Sequence, residues 1–152
     1  MPIYNLNFFT EYYQFYLIDT ATIASLYDAD FWNDEAGDRR LAIGVGLLGV
    51  TVGKYAKIKV KVKVLKNKPK VHPNAEHIVE TSMNLSSGIL QVKDCTAYDT
   101  VLELNLERTV YRIRISSFKL SSIVNDKGAD NYTVEVWKRA FSETKVLKLW
   151  KA

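Results

Sequence analysis

Lys57-Ile58-Lys59-Val60-Lys61-Val62-Lys63-Val64 is the stretch that decides the fold of this 152-residue chain. Lysines and β-branched residues alternate strictly along it, and a period of two places successive side chains on opposite faces of a β-strand. One face of the predicted strand is therefore apolar and the other is a row of lysines. Such a strand predicts a sheet with one face in a core and one in water.

The same alternation recurs around Leu104, Ile113 and Val134, with turn-forming residues between the apolar runs. Further strand candidates are Tyr13–Ile18, Leu41–Val45, Leu48–Val52, His77–Met83, Gly88–Lys93 and Lys145–Trp150. About ten short one-sided strands are typical of two sheets packed face to face. We therefore predict an all-β fold, an antiparallel two-sheet β-sandwich of about ten short strands with at most one short helix.

Only Thr20–Tyr27 has the pattern of a short helix. Its apolar residues do not alternate, and Asp19 or Thr20 is a suitable N-cap.

The whole chain, residues 1–152, is predicted to form a single β-sandwich domain, because no linker or repeat divides it. Cys95 is the only cysteine, so no intramolecular disulfide can form, which fits a reducing compartment. The N-terminus lacks the charge pattern of a signal peptide, and the longest apolar run, Leu41–Val52, is too short for a membrane span. These observations predict a cytoplasmic protein without a membrane partner.

Gly44-Val45-Gly46-Leu47-Leu48-Gly49 matches the glycine pattern of a dinucleotide-binding loop. That motif needs a helix immediately afterwards to hold a phosphate, and here the lysine-rich strand follows instead. We interpret the glycines as part of a bent strand pair in which backbones approach closely.

Patterns typical of catalysis are missing from the sequence. Cys95 has no catalytic signature around it, and two histidines, His72 and His77, offer little for a catalytic triad. We therefore predict a protein that is not an enzyme and needs no cofactor. Segment 28–38 fails the EF-hand pattern because Trp32 occupies a ligand position, but calcium binding by its aspartates stays an open alternative.

The lysine face is the first candidate site. Successive lysines on it lie about 6.5–7 Å apart, which suits weak, non-specific contact with nucleic-acid phosphates. Two structural explanations compete with this hypothesis: lysines blunt the edge of a sheet, and cross-strand glutamates such as Glu80 or Glu103 neutralise them. The predicted anion-binding residues are Lys57, Lys59, Lys61 and Lys63.

An acidic, aromatic segment between Tyr27 and Asp38 is the second candidate site. Large aromatic side chains surrounded by charge are typical of protein-binding hot spots. The alternative is that Trp32 folds back and plugs one end of the sandwich. The predicted partner-binding residues are Phe31, Trp32, Asp34 and Glu35.

Several short motifs follow one another in a characteristic order. They are Tyr12-Tyr13-Gln14-Phe15, Trp32 with Asp34-Glu35-Ala36, the glycine-bearing stretch Leu41–Val52, Ser87-Gly88-Ile89, Tyr111-Arg112-Ile113 and Tyr132-Thr133-Val134. In this order they resemble the competence protein J family, whose described role is inhibition of a DNA-entry nuclease. The resemblance implies a small β domain that binds and blocks a partner enzyme.

The leading hypothesis is therefore a non-catalytic domain with a protein partner, an inhibitor or immunity-like protein that blocks a nuclease. The alternative is a nucleic-acid-binding β module that uses the lysine face. Nuclease inhibitors often present acidic surface to a basic cleft, whereas the formal net charge here is +4.

Overall fold

The computed structural model describes residues 2–94 and 99–151, so Cys95 lies outside the described residues. The described strands, in chain order, are β1 (Ile3–Thr10), β2 (Gln14–Asp19), β3 (Leu41–Gly44), β4 (Leu47–Thr51), β5 (Ala56–Leu65), β6 (His77–Asn84), β7 (Ile89–Lys93), β8 (Thr100–Asn105), β9 (Val110–Phe118), β10 (Asn131–Lys138) and β11 (Lys145–Lys148). One sheet has the order β1-β5-β10-β9-β6-β11 and the other β3-β4-β2-β7-β8. The predicted all-β sandwich is confirmed.

The apolar faces of the two sheets meet in one core. Ile58, Val60 and Val62 of β5 are at most 1% exposed, and they belong to the same hydrophobic cluster as Phe15 and Leu17 of β2. Full burial of side chains of this size contributes about 1.5–3 kcal/mol each. The alternation in β5 thus fixes its lysines on the outer face of the six-stranded sheet.

β5 lies inside its sheet and not at the edge. It pairs antiparallel with β1 on one side and parallel with β10 on the other. The parallel pair departs from the predicted purely antiparallel arrangement, and the edge strand β1 is a strand that the sequence analysis does not predict. The explanation that the lysines protect a sheet edge is therefore wrong.

The helix predicted at Thr20–Tyr27 is wrong, and this segment forms turns. Its hydroxyl groups bond to the backbone locally: Thr22 accepts from the amide of Ala24 (3.0 Å), and Ser25 accepts from the amide of Tyr27 (3.1 Å). Such bonds offer the backbone an alternative to helical pairing. The α-helix of the described chain is α1 (Asp34–Arg39), within the acidic segment.

The glycine-rich motif forms the hairpin between β3 and β4. Gly46 has a φ of +69°, the left-handed conformation that favours glycine at a tight turn. No helix follows, so the geometry of a phosphate-binding loop is not formed here. The motif is a turn between two antiparallel strands.

Two segments cross the outer face of the six-stranded sheet and cover a buried ion network. Arg114 donates to the carbonyl of Pro69 in the β5–β6 connection (3.0 Å), and Arg112 to that of Glu143 before β11 (2.8 Å). Beneath these segments Glu80 accepts from both Arg112 (3.1 Å) and Arg114 (2.8 Å). All three charged side chains are buried. Glu80 therefore neutralises arginines and not the lysine row, which corrects that part of the sequence interpretation.

Candidate interaction surfaces

The acidic loop (residues 27–38) packs Phe31 and Trp32 onto the outer face of the five-stranded sheet. Phe31 is only 5% exposed. Its ring stacks on that of Tyr16, with centroids 6.3 Å apart, and meets Trp32 edge-on at 5.6 Å. The indole nitrogen of half-buried Trp32 donates to the hydroxyl of Tyr16 (3.4 Å). These contacts form a second, smaller apolar cluster that also contains Ala36.

Glycines in the β3–β4 hairpin leave the space that this cluster occupies. A Cβ on Gly49 would lie 2.6 Å from Trp32 Cζ2 and 3.2 Å from Phe31 Cε2. A Cβ on Gly44 would lie 3.6 Å from the Phe31 ring. Here the close approach is made by aromatic side chains, and not by a second backbone as the sequence interpretation expects.

Asp34 and Glu35 stand in solvent on the first turn of α1. Asn33 caps that turn, since its side-chain oxygen accepts from the amide of Ala36 (2.9 Å). Carboxylates are favourable at this end of a helix. Glu35 also forms an exposed ion pair with Arg39 at 3.3 Å. The four predicted partner-binding residues thus lie together, with Phe31 and Trp32 beneath and Asp34 and Glu35 outside.

The apolar side chains that this surface exposes are ones that the sequence analysis does not select. Tyr27 is 82% exposed, Ile23 99% and Val45 85%. The Thr22 hydroxyl donates to the carbonyl of Val45, which holds the hairpin tip beside the segment that carries Ile23. Their exposure depends on how the loop lies across the sheet, and no sequence pattern reports it.

Asp19 anchors the start of the segment that leads into the loop. Its carboxylate accepts from the amide (3.1 Å) and hydroxyl (2.9 Å) of Ser86, and from the amides of Ser87 (3.2 Å) and Ala21 (3.2 Å). Burial alone would raise the pKa of Asp19, but the hydrogen bonds from Ser87 and Ser86 lower it below its usual value. The carboxylate is therefore held charged as a fixed part of the scaffold.

No group of three or more His, Cys, Asp or Glu side chains in residues 2–94 and 99–151 is arranged to hold a metal ion. No described helix is long and apolar enough to cross a bilayer.

Both ring nitrogens of His77 form hydrogen bonds within the fold. Its Nε2 lies 2.7 Å from the carbonyl of Arg39, and its Nδ1 accepts from the amide of Trp150 (3.0 Å). Burial lowers the pKa of His77, so the ring is neutral and donates from Nε2. It ties the end of α1 to the C-terminal segment.

A long depression, which we call the lysine groove, runs along the outer faces of β1, β5 and β10. Two adjoining concavities of about 460 and 410 Å³ form it. They share Asn7, Lys59 and Asn131. The other outward-facing polar side chains along it are Asn5, Lys57, Lys61, Lys119 and Thr133. The predicted lysine face is therefore concave and open.

Neutral side chains flank the central lysines. Lys59 lies between Asn7 and Asn131 in the strand register, and Lys61 lies between Asn5 and Thr133. Among the described residues Lys57, Lys59 and Lys61 form no ion pair.

The other charged residues considered for the groove, Lys63, Glu103 and Lys54, each have a polar or charged neighbour of their own. Lys63 has Glu135 as its register partner on β10. Glu103, which the sequence analysis considers as a neutralising residue, lies in the other sheet and accepts from Gln91 (2.7 Å). Lys54 pairs with the buried carboxylate of Asp130 at 3.2 Å. On β5, the lysines that have neither an ion pair nor a register partner among the described carboxylates are thus Lys57, Lys59 and Lys61.

Four exposed aromatic residues, the aromatic cluster, adjoin one end of the groove. Phe9, Tyr12 and Tyr13 meet the ring of Tyr55 edge-on, with centroids 5.5–6.1 Å apart. Their exposed fractions run from 39% for Tyr55 to 66% for Tyr12. Phe9 is the cross-strand partner of Lys57, so the cluster and the lysine row meet directly.

The backbone of the β1–β2 turn is strained where it carries this cluster. Tyr12 and Tyr13 have φ angles of 53° and 62°, a conformation that costs a bulky residue roughly 1–3 kcal/mol. The side chain of Asp126 contacts the cluster from outside: it accepts from the amide of Tyr55 (3.1 Å). Its hydrogen bond with Tyr13 also raises the pKa of that phenol.

No family model matches the sequence, and no curated protein sequence matches it. Two solved structures have a similar fold. One is the crystal structure of ComJ from Bacillus subtilis, described as an inhibitor of the DNA degrading activity of NucA. It has a TM-score of 0.69 at 16% identity, over 91% of this chain and 96% of that chain. This chain resembles ComJ in fold.

The second is described as Crocagin biosynthetic gene J, with a TM-score of 0.59 at 18% identity, over 92% of this chain and 100% of that chain. The resemblance that the motif order indicates is therefore confirmed as a ComJ-like fold. At these identities the likeness concerns the fold, and function has to be argued from the surfaces.

Proposed function

We propose that this protein is a non-catalytic, protein-binding inhibitor that blocks a nuclease. The observation that carries the proposal is the ComJ-like fold over 91% of the chain. The acidic loop is the surface that we assign to the partner, with Asp34 and Glu35 as contacts.

The charge of the loop suits a basic, DNA-binding cleft. Five carboxylates lie between Asp28 and Asp38, and no lysine or arginine interrupts them. Exposed carboxylates can take the places of DNA phosphates in such a cleft, and their field speeds association at low salt. The exposed side chains of Tyr27 and Ile23 add apolar contact area, which binding hot spots require.

The net charge of +4 does not oppose this assignment, because the two signs are separated in space. The acidic loop covers the five-stranded sheet, whereas the lysine groove lies on the outer face of the six-stranded sheet. A partner that docks on the loop meets a local surface of negative charge. Net charge bears on solubility and non-specific association more than on such a contact.

The packing beneath the loop supports a rigid contact surface. Phe31 and Trp32 fix the loop to the sheet, and the Asn33 cap fixes the first turn of α1. A surface ordered before binding loses less conformational entropy when the complex forms. In this arrangement Phe31 acts from beneath, and the exposed part of Trp32 lies at the rim of the contact.

The test is inhibition of DNA degradation by a purified nuclease, with NucA from Bacillus subtilis as the probe and a native lysate of the source cell as a second source of nuclease. The paired change Asp34→Asn with Glu35→Gln should weaken inhibition and slow association most at low salt. The matched control is Glu103→Gln with Glu143→Gln, which removes the same charge from exposed positions elsewhere.

Inhibition that is lost in the loop variant and kept in the control supports the proposal. Unchanged inhibition in both variants excludes the loop as the contact. No inhibition and no binding of either nuclease source by the wild-type protein excludes the inhibitor function itself.

A further inference from the structure

We propose that the lysine groove and the aromatic cluster together bind single-stranded nucleic acid, a function separate from nuclease inhibition. The groove supplies cations for the phosphates, and the exposed rings supply faces on which bases stack. Proteins that bind single strands without sequence preference combine these two elements.

The free lysines Lys57, Lys59 and Lys61 have no structural task in the described fold. β5 is an interior strand, so Lys57, Lys59 and Lys61 protect no sheet edge. They form no ion pair with a described carboxylate, and their neighbours across the strands are neutral. A row of like charges on one strand face opposes folding, since like charges repel along it. Binding of an anionic chain gives the row a favourable role.

The spacing of these lysines suits the phosphates of an extended single strand of nucleic acid. Alternate residues of β5 lie about 6.5–7 Å apart, so Lys57 and Lys61 are about 13 Å apart along a straight line. Asn5, Asn7 and Asn131 line the same depression. Their amides can donate to and accept from sugar and base groups beside each phosphate.

The aromatic cluster extends the lysine groove at one end. Phe9 lies opposite Lys57, so the rings continue the groove at the point where the free lysine row ends. Tyr12 is held out by a strained turn, with two-thirds of its surface exposed. Strain of this kind concentrates at functional sites. Every base has a face that can stack on such a ring, which makes the contact independent of sequence.

The combination favours a single strand over other polyanions. In a duplex the base faces are stacked on one another, so the rings have no partner there. An acidic protein surface can pair with the lysines, but it has no series of flat faces for the four rings of the cluster. We therefore assign the groove to single-stranded nucleic acid and test the other two ligands as alternatives.

The experiment is fluorescence anisotropy with a labelled thymidine oligomer of about 12 nucleotides, within the site size of small single-strand binders. With three phosphates neutralised by lysines, affinity should fall about 20-fold between about 50 and 200 mM salt. Lys59→Gln with Lys61→Gln should remove about two-thirds of this salt slope. Lys145→Gln with Lys148→Gln is the control of equal charge, because both lysines are exposed on β11, away from the groove.

The aromatic arm uses Tyr12→Asn with Tyr13→Asn, since asparagine tolerates a positive φ better than other residues. We expect at least about a fivefold loss of affinity, the equivalent of one weak base–ring contact. Phe141→Ser is the matched control, because Phe141 is 71% exposed and is not one of the four residues of the cluster. Thermal unfolding of each variant confirms that the fold is retained, and Phe9→Leu replaces the tyrosine pair if it does not.

Binding of the oligomer with both expected losses and intact controls supports the proposal. Three outcomes overturn it. One is no binding of the oligomer at about 50 mM salt. Another is tighter binding of a duplex of equal length. The third is equally tight binding of a glutamate polymer that the tyrosine changes do not affect, which would show a surface for acidic proteins.

Discussion

The outer faces of the two sheets differ in how far other segments of the chain cover them. On the five-stranded sheet the chain's own acidic loop lies over small and apolar residues, and Phe31 and Trp32 complete a second apolar cluster. On the six-stranded sheet the β9–β6 half is covered and buries charge, whereas the β1–β5 half is open and lined by lysines and asparagines. One fold therefore carries an apolar, an ionic and an uncovered outer face.

The residues that face outward therefore do not by themselves decide whether a sheet face is covered or open. Arg112 and Arg114 alternate with apolar residues just as Lys59 and Lys61 do. The arginines are buried because two crossing segments bring carbonyl groups and Glu80 to them. By contrast, the side chains of Lys59 and Lys61 stay exposed to solvent. A covered face stabilises the fold, and an open one is available for a ligand.

The largest loss of stability should follow a substitution in the covered half of the six-stranded sheet. Glu80→Ala leaves two buried guanidinium groups without their shared carboxylate, and breaking a buried ion pair typically costs about 3–5 kcal/mol. Urea unfolding measures this loss. Glu107→Ala is the control, since its pair with Lys138 lies in solvent and such pairs contribute little. Equal stabilities for the two variants would contradict the assignment of a buried network.

The stability that the Glu80 network contributes should depend on pH. Burial alone would raise the pKa of Glu80, but the hydrogen bonds from Arg114 and Arg112 hold it below the usual 4.5. A carboxyl group whose pKa is lower in the folded state stabilises the fold fully above the unfolded pKa. This contribution is lost as the pH falls through the folded pKa. Between pH 5 and pH 3 the wild-type protein should therefore lose more stability than Glu80→Gln does.

The apolar outer face predicts a similar but smaller loss. Phe31→Ala empties a buried aromatic site, which usually costs about 3–5 kcal/mol, and the solvent at the rim of this cluster places the result at the lower end. Trp32→Ala should cost less, because its side chain is only half-buried. The reverse order would mean that Trp32, and not Phe31, holds the acidic loop to the sheet. Urea unfolding of both variants decides this.

The sequence predicts the open lysine face better than it predicts the covered faces. The alternation in β5 predicts the strand and the lysine face, because period and burial coincide there. The interior position of β5 depends on a parallel partner, β10, that lies far away in the sequence, and no local pattern reports it. The burial of Phe31 and Arg114 was likewise not predictable, since it depends on segments that cross a sheet from elsewhere in the chain.

The acidic segment shows the limit most clearly. Asn33 followed by Asp34 and Glu35 is a good helix start, and α1 begins there. Thr20–Tyr27 offers an equally acceptable start, but its side chains bond to the nearby backbone and to the neighbouring hairpin instead. Tertiary contacts choose between two local signals of similar strength.

Substitutions at two glycines, Gly49 and Gly37, should change stability by an intermediate amount and in opposite directions. Gly49→Ala places a methyl group 2.6 Å from Trp32 Cζ2 and 3.1 Å from Tyr16 Cε1, and such overpacking costs about 1–3 kcal/mol. Gly37→Ala is the matched change, because no atom lies within 4 Å and the residue is inside α1. It should stabilise the protein by up to about 1 kcal/mol. Opposite signs in urea unfolding are the expected result, and equal signs would show that the cluster is loosely packed.

The smallest change in stability should follow substitution of the lysines on the open face. Here the sign of the change matters more than its size. Neighbouring lysines about 6.8 Å apart repel each other by about 0.6 kcal/mol in water, and salt weakens this repulsion. Lys59→Gln with Lys61→Gln should therefore stabilise the fold by about 1 kcal/mol at low salt, and by less as salt is added. Lys145→Gln with Lys148→Gln should show no such gain, because these residues lie on the edge strand β11, where the register partner of Lys145 is Glu80. Urea midpoints at two salt concentrations measure both pairs. A destabilised groove variant would mean that the lysines support the fold. The lysine row would then need no ligand to explain it, which contradicts the assignment of the groove as a binding surface.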